Sequence, residues 1–215
     1  VRQMMAMMGT AAMLASCGDG GQKPQGDFKY LIDEFADLKI MRYQIPGWDE
    51  LSLRQKEYVY HLGEAAKYGR DIIWMQNCEV NLPIRKAVET VIDKYEGDRD
   101  SKDYQDFLVY AKRLFFSNGI HHHYAEDKFF PDCSREYFRS LLESTGQADD
   151  ADMLLDWIYN PDVFPQRKSM DKSGDIVAES AVNFYDNVTR AEVEKFYADM
   201  ADPDDPQPIS YGLNS

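Results

Sequence analysis

The sequence predicts a mainly α-helical fold, a multi-helix lobe with a few short extended or β segments. Apolar residues recur at spacings of three and four through much of residues 53–200, which is typical of amphipathic helices. Two capping-box pairs, Ser52 with Gln55 and Thr189 with Glu192, mark the start of two of these stretches. Alternation of apolar and polar residues is weak and short wherever it occurs, so little sheet is expected.

The first elements are an extended segment and a long helix. Residues 28–48 open the domain, and residues 37–45 alternate enough for a strand or an extended arm that Pro46-Gly47 would end. A helix is predicted from Leu53 to about Met75. One face of that helix carries small and apolar side chains, namely Tyr58, Leu62, Ala65, Gly69, Ile72 and Ile73.

Five further helices are predicted from their start and stop signals. They begin at Asn81, Ser101, Ser134, Asp149 or Asp150, and Thr189, and they end at Gly97, Asn118-Gly119, Gly146, before Pro161 and before Pro203. Residues 160–174 are expected to form a loop, and residues 175–185 to form a strand or extended chain.

Composition and charge narrow the possible functions. The chain has 215 residues, a formal net charge of −14 and 44% hydrophobic residues, which suits one ordinary domain or one lobe of a larger protein. An acidic chain is a poor partner for phosphate groups, so we expect no nucleic-acid partner. Electrostatic adsorption to anionic lipid is disfavoured for the same reason.

The N-terminus resembles a bacterial lipoprotein signal. Arg2 precedes a short apolar run, and Leu14-Ala15-Ser16 leads directly into Cys17. Residues 1–16 are therefore predicted to be a signal peptide, Cys17 the lipid-bearing residue, and residues 17–27 a flexible tether. This predicts a lipid-anchored protein of the cell envelope, periplasmic or in the outer membrane. The alternatives are an uncleaved N-terminus and an ordinary secretory signal.

Residues 117–131 are the densest cluster of chemically versatile side chains. Three of the four histidines of the chain, His121, His122 and His123, stand in a row there among aromatic residues. Glu126 and Asp127 follow and could add oxygen ligands, but adjacent side chains do not converge easily on one metal ion. We therefore favour, over a metal site, a loop whose histidines form hydrogen bonds to the backbone and to carboxylates, or a substrate-facing version of such a loop.

Hydrolase motifs are missing from the sequence. No histidine is followed by glutamate, so the zinc-peptidase pairing of two ligands with a general base does not occur in these residues. No serine nucleophile elbow is present. Cys78 and Cys133 do not form a Cys-X-X-Cys pair, which argues against structural zinc, and both are expected to be free thiols.

Several segments, in matching order, resemble the N-terminal part of bacterial dipeptidyl peptidase III, especially the lipoprotein-like members from Bacteroides-type bacteria. They run through nearly the whole chain after the predicted signal and comprise residues 51–57, 64–66, 69–72, 76–77, 117–124, 128–129, 183–186 and 208–215. The family implied by this resemblance consists of two-lobed zinc exopeptidases that release dipeptides from the N-termini of short peptides.

The resemblance assigns residues 28–203 to a helical lobe and residues 204–215 to an extended end, truncated relative to the family. The family's His-Glu-X-X-Gly-His motif and its zinc ligands fall in the second half of its members, so no catalytic or metal residue is carried over and no cofactor is expected in this chain. The expected partners are peptides, in a cleft that a second lobe completes. Candidate cleft residues are Asn118, His121, His122, His123, Tyr124 and Asn183.

Three functions remain open from the sequence. The chain is an N-terminal, non-catalytic portion of such a peptidase, inactive alone; or a free-standing lipoprotein that binds peptides or partners; or a metal-binding module that uses the histidine run. A lobe without its partner exposes surface that is normally buried, so self-association is a further expectation.

Overall fold

The computed structural model describes residues 28–171, 173–202 and 204. The predicted signal peptide, Cys17, the tether and nearly all of the predicted C-terminal end lie outside these residues. The predicted mainly α-helical class is confirmed. The helices are α1 (Leu53–Tyr68), α2 (Arg70–Asn77), α3 (Asn81–Lys94), α4 (Lys102–Ser117), α5 (Arg135–Ser144), α6 (Ala151–Tyr159), α7 (Ile176–Glu179) and α8 (Arg190–Met200).

A β-hairpin precedes the helices. Strand β1 (Leu31–Phe35) pairs antiparallel with β2 (Leu38–Met41), with an irregularity in register between Leu31 and Asp33. The predicted strand at residues 37–45 is thus confirmed only over Leu38–Met41. A short 3-10 turn, Trp48–Glu50, then leads into α1.

The core lies among α3, α4, α5 and α6. Phe107, Tyr110 and Phe138 are buried and pack edge to face, with ring centroids 5.1 Å apart for Phe107–Phe138 and 6.2 Å apart for Tyr110–Phe138. The same cluster contains the buried aliphatic side chains Ile84, Val88, Val91, Leu114, Leu141, Leu142, Leu154, Leu155 and Ile158. Burial of each of these side chains contributes roughly 1.5–3 kcal/mol, so these four helices hold the lobe together.

The predicted caps are largely confirmed. Both capping boxes form, at Ser52–Gln55 and Thr189–Glu192. The hydroxyl of Ser101 accepts the Tyr104 N–H at 3.4 Å, and a serine also caps α5. Each such cap is worth about 1 kcal/mol relative to alanine, which explains why these helix starts are readable from sequence.

The prediction of a single helix from Leu53 to Met75 is wrong. Gly69 separates α1 from α2, and its N–H bonds back to the Ala66 carbonyl at 3.3 Å, only three residues away. A glycine at this position is compatible with the break, since it stabilises a continuous helix less than alanine by up to about 1 kcal/mol.

Two further helices, α7 and α3, differ from prediction. Residues 176–179 form α7 instead of extended chain, because the Asp175 carboxylate accepts the N–H groups of Val177 and Ala178 at 3.0 Å and so caps a helical turn. Asn81 lies inside α3, whose N-cap is Val80, and α3 ends at Lys94, before Gly97. The side chain of Asn81 is used elsewhere, as shown below. Within the described residues, every helix is too short or too polar to cross a bilayer.

Candidate functional site: the histidine loop

The histidine loop, residues 118–128, begins where α4 ends. Asn118 takes the left-handed conformation with φ 52°, and the following Gly119 has φ 150°. Ser117 is buried at the last turn of the helix. The turn therefore forms at the Asn118-Gly119 pair that predicted it, and it redirects the chain across the ends of α2 and α3.

The buried side-chain amide of Asn81 holds the start of the loop in place. It is fully buried, its amide Nδ2 donates to the Trp74 carbonyl at 3.1 Å, and its Oδ1 accepts the Ile120 N–H at 3.2 Å. A Cβ at Gly119 would lie 2.3 Å from Nδ2 of Asn81, so only glycine allows this approach. Asn77 adds a second link, donating from Nδ2 to the Asn118 carbonyl at 3.1 Å.

His121 is a structural residue of the core. Its side chain is buried, and its Nε2 lies 2.8 Å from the Phe164 carbonyl, which can only accept, so Nε2 carries the proton. Burial lowers the pKa of His121 to about 4, against the smaller opposing effect of the Phe164 carbonyl. The imidazole is therefore neutral at physiological pH and faces the interior, which removes His121 from the candidate contact surface.

His122 joins the loop to the hairpin. Its Nε2 lies 3.2 Å from Oδ2 of Asp37, a residue of the turn between β1 and β2. Its Nδ1 accepts the N–H groups of Tyr124 at 3.2 Å and Ala125 at 3.0 Å. A hydrogen bond from the backbone N–H of Asp37 itself, and then the hydrogen bond from His122, lower the pKa of Asp37.

His123 and Tyr124 form the outward part of the loop. The His123 ring stacks on His122 with centroids 4.5 Å apart and lies 4.3 Å from the Tyr124 ring and 4.9 Å from that of Phe116. Partial burial, then the neighbouring His122, lowers the pKa of His123. Tyr124 is 84% exposed, so its ring is the part of this aromatic ladder that a ligand in solution meets first.

A partly buried ion pair holds the far side of the loop. The guanidinium of Arg167 binds the carboxylate of Glu126 through two contacts, Nε–Oε2 at 2.6 Å and Nη2–Oε1 at 2.7 Å, and both side chains are less than 20% exposed. The Arg167 hydrogen bond lowers the pKa of Glu126. Glu126 itself has φ 67°, a conformation that costs a non-glycine residue energy, so the pair offsets local strain.

The carboxylates of the loop are thus occupied by protein partners. Asp127 accepts a hydrogen bond from Nε2 of Gln166 at 3.1 Å, and Glu126 is engaged by Arg167. Across residues 28–171, 173–202 and 204, no group of three or more His, Cys, Asp or Glu side chains is arranged to hold a metal ion.

Lys128 is a site residue that sequence reasoning did not identify. It is buried, and its ammonium donates to the carbonyls of Asn160 at 2.7 Å and Val163 at 2.9 Å. Burial lowers its pKa to about 8. Lysine is normally exposed, so its burial was not expected from the residue type. The aromatic residues next to it in the sequence are the one indication that this side chain is buried.

Asn183 is exposed and linked to the loop indirectly. Its N–H donates to the Gln76 carbonyl at 2.8 Å, while the preceding Val182 N–H bonds to the Arg167 carbonyl at 3.0 Å. Arg167 in turn donates its N–H to the Glu126 carbonyl at 2.8 Å. Backbone hydrogen bonds through Arg167 therefore link the segment that contains Asn183 to the histidine loop.

Comparison of the sequence with models of known protein families gave no match, and neither did comparison with curated proteins. The family named from the sequence accordingly stands as a resemblance.

Proposed function

We propose that this chain is the N-terminal, non-catalytic portion of a dipeptidyl-peptidase-III-like zinc exopeptidase, and that its histidine loop faces the peptide cleft. The parent activity is the release of dipeptides from the N-termini of short peptides. Zinc belongs to the complete enzyme, and the chain alone is inactive because it supplies neither the metal ligands nor the general base.

The apolar surface of α1 is the observation that carries the proposal. No residue of this 16-residue helix is buried. Three of its apolar side chains, Tyr58, Val59 and Leu62, are 65%, 44% and 51% exposed, and they fall on neighbouring turns. In globular proteins most helical stability comes from packing of an apolar face, and an isolated helix of this length is marginal in water.

Exposed apolar side chains also occur in α2. In α2, Ile72 and Ile73 are 57% and 49% exposed, while Trp74 on the other side is buried against the core. Large exposed apolar patches mark interaction surfaces. Such a face suits a lobe that packs against further polypeptide, as a portion of a two-lobed enzyme would.

The histidine loop has the features expected of a cleft wall. Its base is rigid, because Asn81 and the Glu126–Arg167 pair hold both ends. Its outer edge presents Tyr124 and His123, which offer an aromatic surface with polar atoms. Sites that bind peptides combine such apolar or aromatic surfaces with a few placed polar groups.

A second function is a free-standing lipoprotein, anchored through Cys17 in the cell envelope, that binds peptides or partners without catalysis. The exposed Tyr124 ring favours it, because that surface is available without another lobe. Calorimetric titration of the chain with short peptides distinguishes this function. It requires binding that Tyr124→Ala abolishes and that Tyr68→Ala, at an equally exposed tyrosine on α1, leaves unchanged.

The proposal is tested by sequencing the gene beyond the Ser215 codon. A reading frame that continues into a His-Glu-X-X-Gly-His motif is expected, and a natural stop codon with no such motif downstream would refute the peptidase proposal. The chain alone, supplied with zinc, is expected to leave dipeptidyl-naphthylamide substrates intact.

A further inference from the structure

His122 connects two parts of the molecule through one imidazole ring. On one side is Asp37 in the hairpin turn; on the other is the backbone of Tyr124 and Ala125. These contacts assign the protons of the ring. The N–H groups of Tyr124 and Ala125 can only donate, so Nδ1 must carry a free lone pair. The Asp37 carboxylate accepts, so Nε2 carries the proton.

We propose that His122 is a proton-sensitive switch that holds the Tyr124–Ala125 turn in its present form only while the imidazole is neutral. A proton taken from solvent onto Nδ1 converts that atom from an acceptor of two hydrogen bonds into a donor facing two other donors. Neither hydrogen bond survives this change. The contact between Nε2 and Asp37 persists and becomes a contact between opposite charges.

The charged groups around the ring favour or oppose its protonation. Asp37 favours the protonated ring, since its carboxylate lies 3.2 Å away. Arg113, 3.9 Å from the other Asp37 oxygen, weakens that attraction. Nearby Arg167 adds a fixed positive charge, and the stacked His123 adds another when it is protonated. Glu126, already bound to Arg167, contributes little free negative charge.

The consequence lies at the candidate contact surface. Tyr124 follows the switch by two residues, and its ring lies against that of His123 with centroids 4.3 Å apart. Release of its N–H changes the turn that presents this exposed ring, while the hairpin stays in contact with His122. Acidification would thus remodel the outward edge of the histidine loop without releasing the hairpin. This inference does not depend on the peptidase proposal.

Nuclear magnetic resonance of the isotopically labelled chain tests the switch. At neutral pH the His122 nitrogens should report a proton on Nε2; a proton on Nδ1 would overturn the proposal. As the pH is lowered, the amide signals of Tyr124 and Ala125 should shift together with the ring signals of His122. Amide signals that stay fixed while the ring titrates would also refute it.

Two variants test the contacts of the two ring nitrogens separately. In His122→Asn the amide oxygen can accept from the Tyr124 and Ala125 N–H groups at any pH, so the acid-induced shifts of those signals should disappear. Their persistence in this variant would assign the response to His123 and contradict the proposal. In Asp37→Asn the loss of negative charge beside the ring should move the midpoint to lower pH; an unchanged or higher midpoint would oppose the assigned geometry.

Discussion

Asn81 provides the sharpest test of how the histidine loop is held. Replacing it by alanine leaves two buried backbone groups, the Trp74 carbonyl and the Ile120 N–H, without their partner. An unsatisfied buried polar group costs about 1–3 kcal/mol. The two together predict a loss of about 2–4 kcal/mol in the free energy of unfolding, allowing for partial access of water to the space left by the amide.

Urea unfolding followed by tryptophan fluorescence measures this loss, and an unchanged slope of the transition shows that the variant and the parent chain expose similar surface on unfolding. The matched control is Asn77→Ala, which removes a single partly buried hydrogen bond to the Asn118 carbonyl and should cost about 1 kcal/mol. A loss in the free energy of unfolding below about 0.5 kcal/mol for Asn81→Ala, or no larger than that of the control, would show that the Asn81 amide does not hold the loop as described.

Three further outcomes follow from burial. Leu114→Ala, at a fully buried position, should cost about 2–5 kcal/mol, whereas Leu62→Ala on the exposed α1 face should stay within about 0.5 kcal/mol in urea unfolding; equal losses would contradict the exposed face. The pKa of His121 is about 4 in the folded chain, below the ordinary value of 6.5, so the unfolded state gains a proton first as pH falls. Stability should therefore drop by up to about 3 kcal/mol between pH 6.5 and 4, a drop that His121→Gln reduces; an undiminished drop would assign the proton uptake elsewhere. Burial raises the pKa of the Cys78 thiol to about 11, so alkylation by iodoacetamide at pH 8, followed by peptide mass spectrometry, should be roughly a hundredfold slower in the folded chain than in urea; comparable rates would show an accessible thiol.

Helix positions were predictable because their signals are local. Ser52, Ser101, Ser134 and Thr189 each bond to an N–H three residues ahead, a pattern contained in four consecutive residues. The turn at Asn118 was predictable for the same reason, since the residues that favour left-handed backbone are few.

The hairpin was only half predicted because its turn lacks the usual residues. Ala36 supplies a positive φ of 49° where glycine or asparagine normally stands. Strand β1 was missed because the sequence at the turn gave no reason to pair it with β2. Strand formation depends on the neighbouring strand, which the local sequence pattern does not identify.

The contacts that build the site were not predictable because they join distant residues. Arg167 meets Glu126 across 41 positions, and His122 meets Asp37 across 85. None of these four residues has sequence neighbours that would single it out as half of such a contact. Periodicity predicts an apolar face on α1, but it does not reveal whether anything covers that face.

The side chains of the three adjacent histidines face three different parts of the structure. His121 points into the core toward Phe164, His122 toward the hairpin, and His123 into the aromatic ladder. Three neighbouring side chains that face different partners do not converge on one metal ion.

Reconstitution of activity tests the central proposal most directly. The chain would be mixed with a separately purified polypeptide, encoded downstream in the same gene, that carries the His-Glu-X-X-Gly-His motif. Zinc-dependent cleavage of a dipeptidyl-naphthylamide by the mixture, by neither part alone, and weakened by Leu62→Glu on the exposed α1 face, is the predicted result. Full activity of the motif-bearing polypeptide alone, or an inactive mixture, would contradict the proposal that this chain is one lobe of a two-lobed peptidase.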